Sequence, residues 1–368
     1  MKKLLIVGTS SVVGGIETLF RGLFEEKSSC FDITFLCFDK PCAFSEIYIS
    51  NGYKIDVIPS RRSNPFSFSK IVASYFETHN DFDYVWINTA STSMYQIQLY
   101  AKKFTKAQVI THSHGTKFDN CGNWLFHFGN IVLDNLNYHK VVANTDLFFG
   151  CSKAAGVALF GKRKENDLIV INNGIHCDRF AYSESFRNEI RREFGILDHM
   201  ILVGLVGRLS PQKNPVRAIE IFGSVHKKNS NAKLLVVGTG ELLPKVQEKI
   251  AELKLDGAVI FTGLRRDVHK IYSALDALMM PSLFEGLPLT AVEAQCSGLP
   301  CVLSSEITKE VGISDLVSFI DLNSRDSIWA EAILNVPQQG CRNLYCNLVK
   351  KKGYDFSEVK KTIELLLI

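Results

Sequence analysis

Two glutamates with seven residues between them, Glu285 and Glu293, stand in the run Pro281-Ser282-Leu283-Phe284-Glu285-Gly286-Leu287-Pro288-Leu289-Thr290-Ala291-Val292-Glu293. A carboxylate accepts hydrogen bonds from hydroxyls. The start of a helix offers unpaired backbone N–H groups and the positive end of its dipole to a phosphate. This run supplies both. The apolar residues Ala274 to Met280 lead in as a buried strand, and Leu289 to Ser297 lead out in a helical pattern. Pro288 suits the first turn of that helix, where its missing N–H costs nothing. Glu285 is then expected on a loop at the mouth of a cleft, with Glu293 further along the helix. Sugar hydroxyls beside a phosphate are what a nucleotide-sugar presents.

Further candidates follow other apolar runs. Gly207-Arg208-Leu209-Ser210-Pro211-Gln212-Lys213-Asn214-Pro215 carries two cations five apart before a helix that starts at Pro215. Arg offers a planar fork for phosphate oxygens and Lys a mobile point charge; two solvated surface charges are the plain alternative. Gly14-Gly15-Ile16-Glu17 allows close approach of backbone to a ligand at a helix start, although a tight turn explains it equally well. It is not G-x-G-x-x-G, so the dinucleotide fingerprint is missing. His112-Ser113-His114-Gly115-Thr116 follows the expected strand Gln108 to Thr111. No third ligand stands nearby, so zinc is not expected; a polar loop accounts for one histidine, and the other opens onto the cleft. Asp81-Phe82-Asp83 has a metal-binding spelling but precedes the strand Tyr84 to Asn88, at the wrong end for substrate, and reads as a solvated turn. Asn172-Asn173-Gly174 reads as a hinge turn.

Strands are expected at Lys3 to Gly8, Ile33 to Phe38, Tyr53 to Ile58, Leu147 to Cys151 and Leu168 to Ile171, with helices such as Ile16 to Glu26 and Phe68 to Thr78 between them. After a polar connector at Asn172 to Asn188 the rhythm restarts with Ile201 to Val206, Lys233 to Val237, Val259 to Thr262, Cys301 to Ser304 and Val317 to Asp321. Alternation of this kind predicts two doubly wound α/β domains facing across a cleft. The boundaries are 1–180 and 181–354, with a helix at 355–368 that can return to the first domain. A chain of 368 residues, 46% hydrophobic, fills two cores. Net charge +4 gives no case for nucleic acid. Ten cysteines without a C-x-x-C pair fit a reducing cytoplasm better than a disulfide scaffold. The opening apolar run is too short for a signal peptide, and no run is long enough to cross a bilayer.

Together these motifs resemble the retaining glycosyltransferases of family 4, which have the GT-B fold and include bacterial surface-polysaccharide enzymes. The resemblance rests on Gly14-Gly15-Ile16-Glu17, His114-Gly115-Thr116, Ile171-Asn172-Asn173-Gly174-Ile175, Gly207-Arg208-Leu209 with Lys213-Asn214, Gly238-Thr239-Gly240, and Glu285 with Glu293. It implies that Arg208 and Lys213 hold the donor diphosphate and that the Gly14-Gly15 loop approaches the phosphates or acceptor. Glu285 and the adjoining Gly286 meet the donor sugar, Glu293 binds the ribose diol, and His114 orients the sugar near its 6-position. Backbone at Leu289 and Thr290 completes the phosphate cradle. The base lies near Gly238 to Gly240 and Leu264-Arg265, largely against backbone. His114, Arg208, Lys213 and Glu285 are the implied catalytic set.

The resemblance further implies retention by front-face attack. Preorganised cations and helix N-termini can stabilise the leaving diphosphate without a metal, so no metal and no cofactor are expected. The implied acceptor is a carbohydrate or lipid-linked oligosaccharide, recognised within Lys117 to Tyr138, a segment rich in aromatics and Asn. A hydrolase-style pair of carboxylates is disfavoured, since a loop and a helix position need not converge on one bond. A nucleotide-sugar 2-epimerase or a non-catalytic sugar-nucleotide-binding protein would use similar lobes. Lys102, Lys103 and Lys106, and Lys162-Arg163-Lys164, read as solvated faces, with the anionic inner-membrane surface as the alternative. The expected location is cytoplasmic, free or peripheral on that membrane face.

Overall fold

The computed structural model describes residues 1–115, 136–337 and 341–368. It divides into two compact units, Met1–Gly174 with Phe356–Ile368, and Ile175–Asp355. The sequence pattern sets this boundary at 180; the chain passes from one unit to the other at 174.

The first unit holds strands β1 (Lys2–Val7), β2 (Phe31–Phe38), β3 (Lys54–Ile58), β4 (Tyr84–Thr89), β5 (Gln108–Ser113), β6 (Leu147–Gly150) and β7 (Leu168–Val170). They form one parallel sheet in the order β3-β2-β1-β4-β5-β6-β7. The second unit holds β8 (Leu202–Val206), β9 (Lys233–Val237), β10 (Val259–Gly263), β11 (Ala277–Met280), β12 (Cys301–Ser304) and β13 (Val317–Ile320). Its parallel sheet has the order β10-β9-β8-β11-β12-β13. In each sheet the order reverses once, between β1 and β4 and between β8 and β11. Ligands of open α/β sheets bind beyond the carboxyl ends of the strands at such a point.

The strands read as unbroken apolar runs because both faces are covered. Leu202, Val206, Leu235, Val237, Leu278 and Met280 pack on one side of the second sheet, and Val203, Leu205, Leu234, Val236, Ala277 and Met279 on the other. The same alternation splits Leu4 and Ile6 from Leu5 and Val7 in β1.

Helix Phe356–Leu367 buries Phe356, Val359, Ile363 and Leu367 in the first unit's core, beside helix Gly15–Phe24. The Phe356 ring lies where side chains on Gly22 and Gly174 would have to go.

Two expectations fail locally. The polar connector contains helices Cys177–Phe180 and Glu184–Glu193. The second has only two apolar residues, Phe186 and Ile190, and it buries the charged Arg191 beside Ile190, so its charge hides its periodicity. Strand β5 runs to Ser113, two residues beyond the expected end, and takes His112 into the sheet. Among the described residues no helix is long and apolar enough to cross a membrane.

Candidate functional site

In the second unit, three loops at the carboxyl ends of β8, β9 and β10 lie backbone against backbone. The Gly207 N–H donates to Val237 O at 2.9 Å, Leu209 N to Thr239 O at 3.0 Å, and Gly238 N to Gly263 O at 2.9 Å. Gly207 and Gly238 have φ of 141° and 131°, and a Cβ on Gly238 would overlap the Gly207 carbonyl. A Cβ on Gly240 would come 2.5 Å from Leu209 O. These glycines are therefore required by loop packing whether or not a ligand is present. Arg208 projects from this frame, well exposed, and pairs with Glu241 at 3.1 Å. Leu264 is 80% exposed at the same edge. Arg265 follows, its guanidinium donating to Glu193 at 2.6 Å and to Asp267 at 2.8 Å.

Lys213 ends a short 3₁₀ turn, Pro211–Lys213, and Asn214 follows at φ 51° before helix Pro215–Lys228. Lys213 is no solvated surface charge. Its Nζ sits 2.6 Å from Glu285 Oε1, and Glu285 is only 9% exposed. Gln212 Nε2 donates to Glu285 Oε2 at 3.3 Å and to Phe284 O at 3.1 Å, while Leu283 N donates to Gln212 O at 2.8 Å. The β8 loop thus clamps the β11 loop. Gly286 follows, and helix Leu289–Cys296 begins after Pro288, which takes the N-cap position rather than the first turn. Leu289 and Thr290 stand in that first turn, where backbone N–H groups lack acceptors within the helix.

Glu293 lies one turn further along the same helix. The Tyr272 hydroxyl donates to its Oε2 at 2.8 Å. Burial pushes the Glu293 carboxyl up to about 7, with the Tyr272 hydrogen bond and the charges of Arg179 and Lys213 pulling the other way. The second-unit candidates therefore belong to the loops at the carboxyl ends of β8, β9, β10 and β11 or to the helix that leaves β11. A cavity of about 550 Å³ lies elsewhere in this unit, at the opposite strand ends. Its Arg187 and Arg342 are committed to backbone carbonyls and to Asp276, so volume alone points to the wrong edge.

The first unit's candidates also sit at strand ends. Gly14 caps helix Gly15–Phe24, and the buried Glu17 reaches back to accept from Ser10 N at 2.7 Å and Gly14 N at 2.9 Å. Around the Cβ direction of Gly15 there is open space. His114 Nε2 donates to Asn88 Oδ1 at 2.9 Å, and the Asn88 amide nitrogen donates to Val7 O at 3.0 Å. Burial drops the His114 imidazole to about 3, so it is neutral, and among the described residues Nδ1 has no hydrogen-bond partner.

His112 is fully buried and accepts from Trp86 Nε1 at 3.3 Å, which replaces the expected polar loop with a core histidine. Asp81 pairs with Lys3, and Asp83 accepts from Lys3 N at 2.8 Å, at the amino ends of β1 and β4. Lys102 is paired with Asp146 at 2.6 Å and Lys164 with Asp167 at 2.7 Å. Thr116 and most of the expected acceptor segment, residues 117–135, lie outside the described residues. The sequence pattern passed over Gln212, Tyr272, Glu241 and Asn88, which hold the candidates in place. Nothing in their spacing marks them, because each acts through a partner distant in sequence.

Comparison with known proteins bears on this arrangement. The chain is 29% identical over 362 residues to EpsF of Bacillus subtilis, spanning 96% of this chain and 93% of that one; its name gives it as a glycosyltransferase without a reaction. It is 30% identical over 192 residues to an Escherichia coli UDP-Gal:alpha-D-GlcNAc-diphosphoundecaprenol alpha-1,3-galactosyltransferase, about half of each chain. The crystal structure of Anabaena HepE in complex with UDP and glucose matches with a TM-score of 0.78 at 18% identity, over 100% of this chain and 99% of that one. The fold is thus α/β, with two parallel Rossmann-like sheets as in GT-B glycosyltransferase structures, and residues 186–317, all in the second unit, match the family of glycosyl transferases group 1.

Proposed function

We propose that this protein is a retaining, metal-independent hexosyltransferase. It moves a hexose or N-acetylhexosamine from a nucleotide-sugar, a UDP-sugar, to a sugar acceptor. The acceptor is a lipid-linked intermediate of capsule, exopolysaccharide or lipopolysaccharide synthesis. The observation that carries this reading is the largely buried Lys213–Glu285 pair beside the start of the helix that bears Glu293. The names of EpsF and of the Escherichia coli galactosyltransferase support it, as does the UDP in the HepE structure.

In the reaction the bond from C1 to the diphosphate oxygen breaks, and its electron pair stays on the diphosphate. The acceptor oxygen bonds to C1 on the same face, and its proton passes to the leaving phosphate oxygen. Negative charge grows on the diphosphate. Arg208 meets it most readily, since its partner Glu241 is exposed and exchangeable, while Lys213 is already partly neutralised by Glu285. The first-turn N–H groups of Leu289 and Thr290 add fixed dipoles that need no reorganisation. Glu285, held at both oxygens, accepts from sugar hydroxyls with its remaining lone pairs, and Glu293 takes the ribose diol. A bilayer surface and a cytoplasmic location follow from the proposed acceptor.

A transfer assay with UDP-, GDP- and ADP-sugars and a lipid-diphosphate-linked sugar, in EDTA, tests this. The expected product keeps the donor's anomeric configuration, and Arg208→Ala loses transition-state stabilisation of about 2–4 kcal/mol. Epimerised donor, free sugar, or activity abolished by EDTA and restored by manganese contradicts it.

A further inference from the structure

We infer that Tyr272 is a positioning residue for nucleotide binding: its hydroxyl holds one oxygen of Glu293 so that the other faces the ribose diol. This rests on the role proposed for Glu293 above. Tyr272 is fully buried in helix Val268–Ala274, between β10 and β11, and its backbone carbonyl is anchored by Arg342 Nη2 at 2.8 Å. The ring crosses the second unit's core beside Phe180, so it has no freedom to follow Glu293 elsewhere. A buried tyrosine hydroxyl needs a partner, and here it donates 2.8 Å to Glu293 Oε2. Glu293 itself is only partly buried, and among the described residues Oε1 has no hydrogen-bond partner. The carboxylate is therefore oriented from behind and open in front.

The hydroxyl also matters for protonation. A donated hydrogen bond favours the ionised carboxylate, and only that form accepts from two ribose hydroxyls at once. The charged groups acting on Glu293 are Arg179, from helix Cys177–Phe180, and Lys213, from the β8 loop; both favour ionisation, and burial opposes it. Lys213 is shared with Glu285, which weakens its help. Removing the tyrosine hydroxyl leaves burial less opposed, so the proton stays on Glu293 to higher pH. Tyr272→Phe keeps the ring and its packing and deletes the hydroxyl's bonds, to Glu293 and to the Thr290 side chain.

The test is calorimetric titration between pH 6 and 9 of the whole protein with UDP-, GDP- and ADP-glucose, whose phosphates do not titrate in that range. The tightest of the three is then carried through Tyr272→Phe and Glu293→Gln, alongside its 2′,3′-dideoxy analogue. The expected result is that Tyr272→Phe weakens binding about tenfold at pH 7 and moves the pH dependence of affinity upward. It should leave binding of the dideoxy analogue as in the unaltered protein. Wild-type affinity and pH profile in Tyr272→Phe, with Glu293→Gln impaired, overturns the role of Tyr272. Unimpaired Glu293→Gln overturns the ribose role of Glu293, and no binding of any of the three overturns the transferase reading. Should Tyr272→Phe not fold, proton release on binding decides in the unaltered protein. Fractional release near pH 7 that is absent in Glu293→Gln supports coupling to the carboxylate, and none in either contradicts it.

Discussion

At the scale of single residues, the structure separates charges that look alike in sequence. Arg208 and Lys213 are two cations five apart, yet one is exposed and the other lies against a buried carboxylate. Lys213→Ala would leave Glu285 buried without its counter-charge. Breaking such a pair costs about 3 kcal/mol, toward the low end of the usual range because Lys213 keeps some exposure. Urea unfolding measures this, and a loss below about 0.5 kcal/mol would mean that solvent already screens the pair. Glu293 gives a prediction with a definite sign. Its folded-state carboxyl is raised to about 7, above its unfolded value, so the folded state binds the proton more tightly. Stability from this group is present at low pH and is lost as pH climbs through 7, by about 3 kcal/mol at most. Glu293→Gln, which cannot ionise, should therefore be the more stable protein at pH 8.5, with the advantage shrinking toward pH 5. A gap that does not change with pH would contradict this. The glutamates and the Arg–Lys pair were legible because they sit in strand–loop–helix runs. Tyr272 and Gln212 were not, because a hydrogen bond between residues 21 or 73 positions apart leaves no mark in local spacing.

At the scale of elements, most strands and helices were legible because parallel strands buried on both faces must be apolar throughout. Helix Phe68–Thr78 was expected at its observed bounds. Helix Glu184–Glu193 was missed because only Phe186 and Ile190 in it are apolar and one of its two buried positions holds the charged Arg191. The extra length of β5 was missed because His112 and Ser113 are polar residues inside a sheet, held there by Trp86 and by the carbonyl of Ala155. Helix Gly15–Phe24 carries a glycine, Gly22, at a position where alanine would ordinarily stabilise a helix by up to about 1 kcal/mol. Here the Phe356 ring fills that space. Overpacking costs about 1–3 kcal/mol, so the clash outweighs the propensity. Gly22→Ala should lower the melting temperature, and Phe356→Leu should recover part of the loss in the double variant. A raised melting temperature in Gly22→Ala would mean that the C-terminal helix does not pack there.

At the scale of the whole molecule, two sheets of one kind appear in one chain, each with a single reversal of strand order and each with its candidates at the carboxyl ends of the strands. The fold class was legible from the alternation of strands and helices, and so were the residues of both edges. The unit boundary was placed six residues late, because Ile175 and Cys177 look like part of a polar connector and yet belong to the second core. The central claim is that the second unit holds a nucleotide-sugar without a metal. Thermal unfolding of the purified chain with UDP, GDP, ADP and their sugars, each in EDTA, tests it most directly. A ligand at about 100 times its dissociation constant stabilises the folded state by about 2.7 kcal/mol. The account predicts a clear rise in melting temperature with uridine nucleotides that persists in EDTA and falls in Arg208→Ala. No rise with any nucleotide, or a rise that EDTA abolishes, would contradict it.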